Sequence, residues 1–182
     1  MNSEKRYAGF KTFTDIQNDI DKFLKGEVPD TPVHLGPLNR ETSVMVDDLI
    51  KMNSKGFIPI CSQPGLSDKS QRSYISFIAH EKYAKKLEDY LALNHYPFVL
   101  QYANFKEDYC SGNRIAVTTD GDYVFTKATA FGGDLRFFID CCKSKDLKNY
   151  LKYRCFVYNI IDPEWGREKY ALEILNKYLE EN

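Results

Sequence analysis

The sequence predicts an α+β single domain, with one mainly antiparallel or mixed sheet and helices packed on one face. Three observations carry that expectation. Apolar residues recur at helical spacing towards both ends of the chain, short apolar runs bounded by turn residues suit core strands, and Asp120-Gly121 marks the turn of a hairpin. A chain of 182 residues can bury one sizeable core. The expected organisation is therefore a single globular domain over 1–182, with an N-terminal helix and extended connector in 1–37 and the remaining core in 38–182.

Taken in order, Phe13, Ile16, Ile20, Phe23 and Leu24 fall on one helical stripe, with Thr14 and Gln17 at capping-box spacing and Gly26 at the C-cap. Between Glu27 and Arg40, Pro29, Pro32, Gly36 and Pro37 interrupt any periodicity, so this stretch reads as a connector packed over the domain. A second helix is expected from Glu41 to Ser54 on Met45, Val46, Leu49, Ile50 and Met52, with Glu41 and Thr42 in its first turn. Residues 57–61 and 73–79 read as core strands. Residues 81–94 form a helix and 96–103 a strand, completing a β-α-β step. Residues 115–131 are the hairpin, 133–142 and 145–154 are helical, and 155–161 is a strand. The closing helix, from Pro163 to Leu179, uses Ala171, Ile174, Leu175, Tyr178 and Leu179.

Composition narrows the function. With 43% hydrophobic and 28% charged residues and no long apolar run, the chain is expected to be neither disordered nor membrane-spanning. A net charge of −1 and a pI near 6.3 disfavour nucleic acid as a partner. The N-terminus lacks a secretory apolar stretch, so Cys61, Cys110, Cys141, Cys142 and Cys155 are expected to be free, mostly buried thiols in a cytoplasmic setting. Lysine outnumbers arginine 18 to 7, a skew of AT-rich genomes that leaves room for a viral protein in a host cytoplasm. The cysteines have no zinc-ligand spacing. No dinucleotide, P-loop, esterase, metalloprotease or EF-hand signature is present, so the sequence names no cofactor and no metal.

Two polar segments stand out. Pro64-Gly65 suits a type II turn, but Ser62 and Gln63 precede it and Gln71 and Arg72 follow, placing hydrogen-bonding side chains beyond the expected strand end. Near the C-terminus, Asp162, Pro163 and Glu164 read as an N-cap, a first helical residue and a complement to the helix dipole, leaving Trp165 and Arg167 unexplained. Cys61 and His80 lack a third, orienting group for thiol catalysis. His34 and His95 read as solvated loop residues.

Glu41-Thr42, the Cys61-Ser62-Gln63-Pro64-Gly65 turn with Gln71-Arg72, and the Asp162-to-Arg167 segment together resemble an uncharacterised, mainly actinobacterial family of unknown function, from about residue 38 to the end. That resemblance implies a shared site and no established activity. The expected function is binding of a small polar, nucleotide-like ligand by Ser62, Gln63, Gln71, Arg72, Asp162, Trp165 and Arg167, with Glu41 or Glu164 as general acid or base for hydrolysis or group transfer. The alternative is a viral accessory protein that binds a host protein through a Tyr- and Phe-rich surface.

Overall fold

The computed structural model describes residues 3–66, 68, 70–107 and 114–182, so Cys110 and Ser67 lie outside the described residues. Helices α1 (Ser3–Tyr7) and α2 (Phe13–Leu24) lead to a 3-10 turn (Arg40–Met45) continuous with α3 (Val46–Ser54). Strands β1 (Ile58–Gln63) and β2 (Arg72–His80) precede α4 (Tyr83–Leu93) and β3 (Val99–Asn104). The hairpin β4 (Ile115–Asp120) and β5 (Tyr123–Ala128) is followed by α5 (Gly133–Cys141), α6 (Lys145–Arg154), β6 (Cys155–Trp165) and α7 (Tyr170–Glu181).

The main sheet runs β1-β2-β6-β3, every neighbouring pair antiparallel. The β2-α4-β3 step therefore exists in split form: the two parallel strands are separated by β6. Phe57 bridges this sheet to the helices, packing on Phe77 at 5.3 Å, Tyr83 at 4.6 Å and Tyr178 at 6.4 Å between ring centroids. Those contacts seat α4 and α7 on the face that carries Ile75, Phe77, Tyr158 and Ile160, a fully apolar stripe apart from the Tyr158 hydroxyl. The hydroxyl escapes the cost of burial by donating to His80 O at 2.9 Å. On the opposite face, Tyr74 and Ile161 meet Val117 and Ala128 of the hairpin.

Local chemistry moves several expected boundaries. The capping box of α2 uses Thr12 and Asp15 rather than Thr14 and Gln17, because Asp15 reaches back to the N–H of Thr12 at 2.8 Å. Its C-terminus closes as a Schellman motif, Glu27 N–H to Lys22 O and Gly26 N–H to Phe23 O, with Gly26 at φ 75. The hairpin turn is Gly121-Asp122, one residue later than expected, since Asp120 still pairs with Tyr123. A larger correction concerns the C-terminal segment. Asp162, Pro163 and Glu164 do not start the last helix; β6 continues through Trp165, which pairs with Arg72, and α7 begins only at Tyr170. The three residues form an irregularity opposite Ser73, and the pairing that resumes at Trp165 with Arg72 outweighs a local capping pattern.

The connector is fastened by a cation that the sequence reading passes over. Arg6 donates to Asp19 at 2.9 Å and to Asp30 at 2.8 Å, tying α1 to α2 and to the connector with its side chain 9% exposed. Thr31 then turns the chain locally, accepting from and donating to the backbone of His34, which brings His34 against the sheet edge.

Candidate functional site

The two polar segments of the sequence do meet, and they meet as a fastening. β1 does not break at Cys61 but runs on through Gln63, with a bulge between Pro59 and Cys61. Gln63 is thereby buried, 6% exposed, and its amide is spent: Nε2 donates to Arg72 O at 2.8 Å and to Val117 O at 2.9 Å, and Oε1 accepts from Thr118 Oγ1 at 2.9 Å. Asp162, 0% exposed, accepts both from Arg167 Nε at 2.7 Å and from Arg167 Nη2, and also takes the N–H of Glu164 at 2.9 Å. Arg72 donates to Ala116 O at 2.9 Å and lies over the Trp165 ring at 4.2 Å. Gly65 is where the segments touch. At φ 81 its absent Cβ would fall 2.7 Å from Arg167 O and 3.0 Å from Ser73 N, and Pro64 O accepts the N–H of Lys169.

This cluster leaves little for a ligand. Reading a ligand with Gln63 would break three internal hydrogen bonds, and Arg167 would have to leave a buried carboxylate. Of its polar atoms, Gln71 Oε1 and Arg72 Nε are buried without a partner. Gln71 Nε2 reaches Glu41 Oε2 at 3.4 Å, and Glu164 is exposed, 3.6 Å from Arg167. Ser62 stands apart, on a cavity of about 70 Å³ with Thr42 and His34.

A larger polar concavity, of about 380 Å³, lies on the hairpin side of the same strands. The register explains its floor. Cys61 pairs with Ser76, Ser76 with Asn159, and Asn159 with Gln101, so four strands each contribute one polar residue to a single cross-strand row. Two of these hold the neighbouring chain in place. Asn159 accepts the N–H of Thr129 at 3.3 Å and donates to Ile75 O, while Gln101 accepts the N–H of Ala130 at 3.3 Å. The segment so anchored leads into α5 through Gly132, whose missing Cβ would fall 2.1 Å from Asn104 O, and delivers Asp134 to the pocket wall. Arg114, Lys127 and His34 complete the polar part of the lining.

The electrostatics separate the pocket from the fastening. Among the described residues Asp134 has no ion-pair partner, and desolvation pushes its carboxyl up to about 6. A carboxyl poised there exchanges a proton near neutrality and suits general acid or base work. Cys61 Sγ lies 2.9 Å from Tyr74 OH. Cys61 is exposed toward the pocket, contrary to the buried thiol expected, yet protein atoms crowd its sulfur enough for desolvation to raise the thiol pKa above its ordinary value; the Tyr74 contact opposes this and the charges of Asp134 and Glu41 reinforce it. Desolvation, followed by Cys61 itself, raises Tyr74 as well. The pair is therefore a protonated, hydrogen-bonding wall. His80 is no base for it: His80 lies four residues beyond Ser76 along β2, about 13 Å at a strand's rise. Among the described residues no three His, Cys, Asp or Glu side chains form a metal cage.

The sequence reading missed Ser76, Asn159, Asp134 and Tyr74. A signal for the first two was present, since each apolar strand carries one polar residue near its middle; the register that aligns them was not legible in any single strand. Asp134 is a first-turn helical carboxylate in sequence and gains its distinction only from what covers it.

No helix among the described residues is long and apolar enough to cross a membrane. A sequence comparison with curated proteins gives no match. The model of one protein family, described as a domain of unknown function (DUF6919), matches residues 3–182, taking in α1 and the connector as well as the core; the chain belongs to that family.

Proposed function

We propose that the protein binds a small polar metabolite of the nucleotide or sugar-phosphate class in the pocket between β1, β2, β6, the hairpin and α5. The observation that carries this reading is Asp134: a carboxyl with no ion-pair partner among the described residues, raised to about 6, on the wall of a 380 Å³ concavity floored by Cys61, Ser76 and Asn159. In this reading the Ser76 hydroxyl oxygen accepts a hydrogen bond on a floor that Asn159 holds in place, Arg114 and Lys127 face an anionic group, and Asp134 moves a proton in hydrolysis or group transfer. The Ser-Gln-Pro-Gly and Asp-Pro-Glu-Trp-Gly-Arg motifs, on which the resemblance to a mainly actinobacterial family rests, act here as the fastening that holds the pocket's strands in register.

The test is a thermal-shift screen against nucleotides, cyclic nucleotides and sugar phosphates, with Asp134→Asn and Ser76→Ala alongside. A ligand at 100 times its Kd stabilises the fold by about 2.7 kcal/mol. A shift present in the wild type and absent in both variants supports the reading, whereas a blank screen, or a shift that both variants retain, removes it. One observation favours a second reading, docking of a protein partner: Tyr123 and Phe125 project from β5 with 70% and 72% of their surface exposed. A blank screen together with capture of a partner that Phe125→Ser abolishes would favour that reading.

A further inference from the structure

A third cavity, of about 210 Å³, opens at the N-terminal end of α4 and is lined by Lys55, Lys82, Lys86, Tyr178 and Asn182 against an apolar wall of Phe57 and Leu179. The lysines arrive from different elements: Lys55 caps the end of α3, Lys82 precedes the first residue of α4, and Lys86 belongs to that helix. Three ammonium groups around one concavity repel one another unless an anion joins them. The neighbouring carboxylates are engaged elsewhere, Glu81 with Arg154 at 3.2 Å and Glu180 with Lys51. Among the described residues none of the three lysines has an ion-pair partner, the Lys82 ammonium lying 5.0 Å from the centre of the Tyr83 ring, and α4 has no acidic residue in its first turn to occupy the positive end of its dipole.

An independent feature points the same way. Tyr178 is 2% exposed, lines this cavity, and its hydroxyl has no hydrogen-bond partner. A buried hydroxyl left unpaired loses its hydration without a replacement hydrogen bond. Phenylalanine would fill the same space without that cost, so nothing in the packing accounts for the oxygen. We propose that this cavity is an oxyanion site that takes a phosphate group, charged contacts coming from Lys55, Lys82 and Lys86 and a hydrogen bond from Tyr178.

The experiment is a calorimetric titration of the full chain with inorganic phosphate at low ionic strength, and in parallel with phosphatidic-acid vesicles. Saturable phosphate binding that falls at least tenfold in a Lys82→Gln, Lys86→Gln double variant supports the proposal. Tyr178→Phe should weaken binding two- to fivefold with an unchanged or raised Tm, which separates a lost contact from a lost fold. Lys85→Gln is the control for mere net charge, because Lys85 is 75% exposed, bridged to Asp89, and absent from the cavity wall. Binding to vesicles alone, sensitive to the same double variant, assigns the phosphate group to a lipid headgroup. No saturable binding to either probe, or an equal loss in Lys85→Gln and the double variant, overturns the site.

Discussion

The Gln63–Asp162 fastening and the Asp134 pocket share the central strands of one sheet and draw on the same residue types, yet they are opposite in electrostatic state. In the fastening the two central groups are answered: Gln63 makes three hydrogen bonds and Asp162 meets a guanidinium and a backbone N–H. In the pocket Asp134 has no ion-pair partner among the described residues and its carboxyl rises to about 6. Polar residues in a fold either close a structure or wait for something outside it, and the two uses are told apart by counting partners. Substitution in the fastening should therefore cost stability, while substitution in the pocket should cost binding and leave stability intact or improved.

The largest expected effect is that of Asp162→Ala. It strips Arg167 of its buried partner and leaves the N–H of Glu164 unpaired; removing one member of a buried pair costs about 3–5 kcal/mol, and the 29% exposure of Arg167 and its remaining contact with Glu164 recover part of that, for a net loss of about 3 kcal/mol. The urea midpoint reports it. A loss under about 1 kcal/mol would mean that the carboxylate is not structural, and the contrast between the two regions would collapse.

Gln63→Ala comes next, at about 2 kcal/mol, because two carbonyls and the Thr118 hydroxyl lose their partner within a closed interface between β1, β2 and the hairpin. Hydrogen exchange sharpens the comparison. Protection should fall in β4 and β5 and persist in α7, since Gln63 reaches the hairpin and not the helix. Uniform loss across the molecule would show that Gln63 supports the whole sheet and not one junction.

Much of the fold was legible before the structure was known, and for a physical reason: helix faces and buried strands write their periodicity into contiguous residues. The apolar stripe Ala171, Ile174, Leu175, Tyr178 and Leu179 is buried as its spacing implies. The position of β6 between β2 and β3 was not legible, because no local pattern encodes which strand lies beside which. The consequence reached the site. Asp162-Pro163-Glu164 has the composition of a helix start, and only pairing of β6 with Arg72 reveals it as strand. Likewise Gln63 and Arg167 stand out in the sequence as ligand-binding candidates, but a sequence gives a side chain's hydrogen-bonding capacity and not how much of it is already used.

The smallest expected effect on stability is also the one that best divides the two regions. Asp134→Asn replaces a carboxyl whose folded pKa is about 6 against an ordinary value of 3.8. Because the folded value lies above the unfolded one, the neutral acid is the form the fold prefers: that stabilisation is complete below about pH 3.8 and is lost as pH rises through 6. A rise of that size is worth at most about 3 kcal/mol, which the partial solvent access of Asp134 cuts to about 1.5. The charge also gains about 0.5 kcal/mol from the N-terminal end of α5, which the variant forfeits. Desolvation wins, so the Asp134→Asn variant should equal the wild type at pH 4 and exceed it by about 1 kcal/mol at pH 8. Paired urea titrations at the two pH values measure the difference directly. A variant more stable at pH 8 that no longer binds the screened ligand marks Asp134 as a residue held at a cost in stability for the sake of a site. A variant less stable at both pH values would instead place Asp134 with Asp162, as a fastening whose partner the pocket conceals.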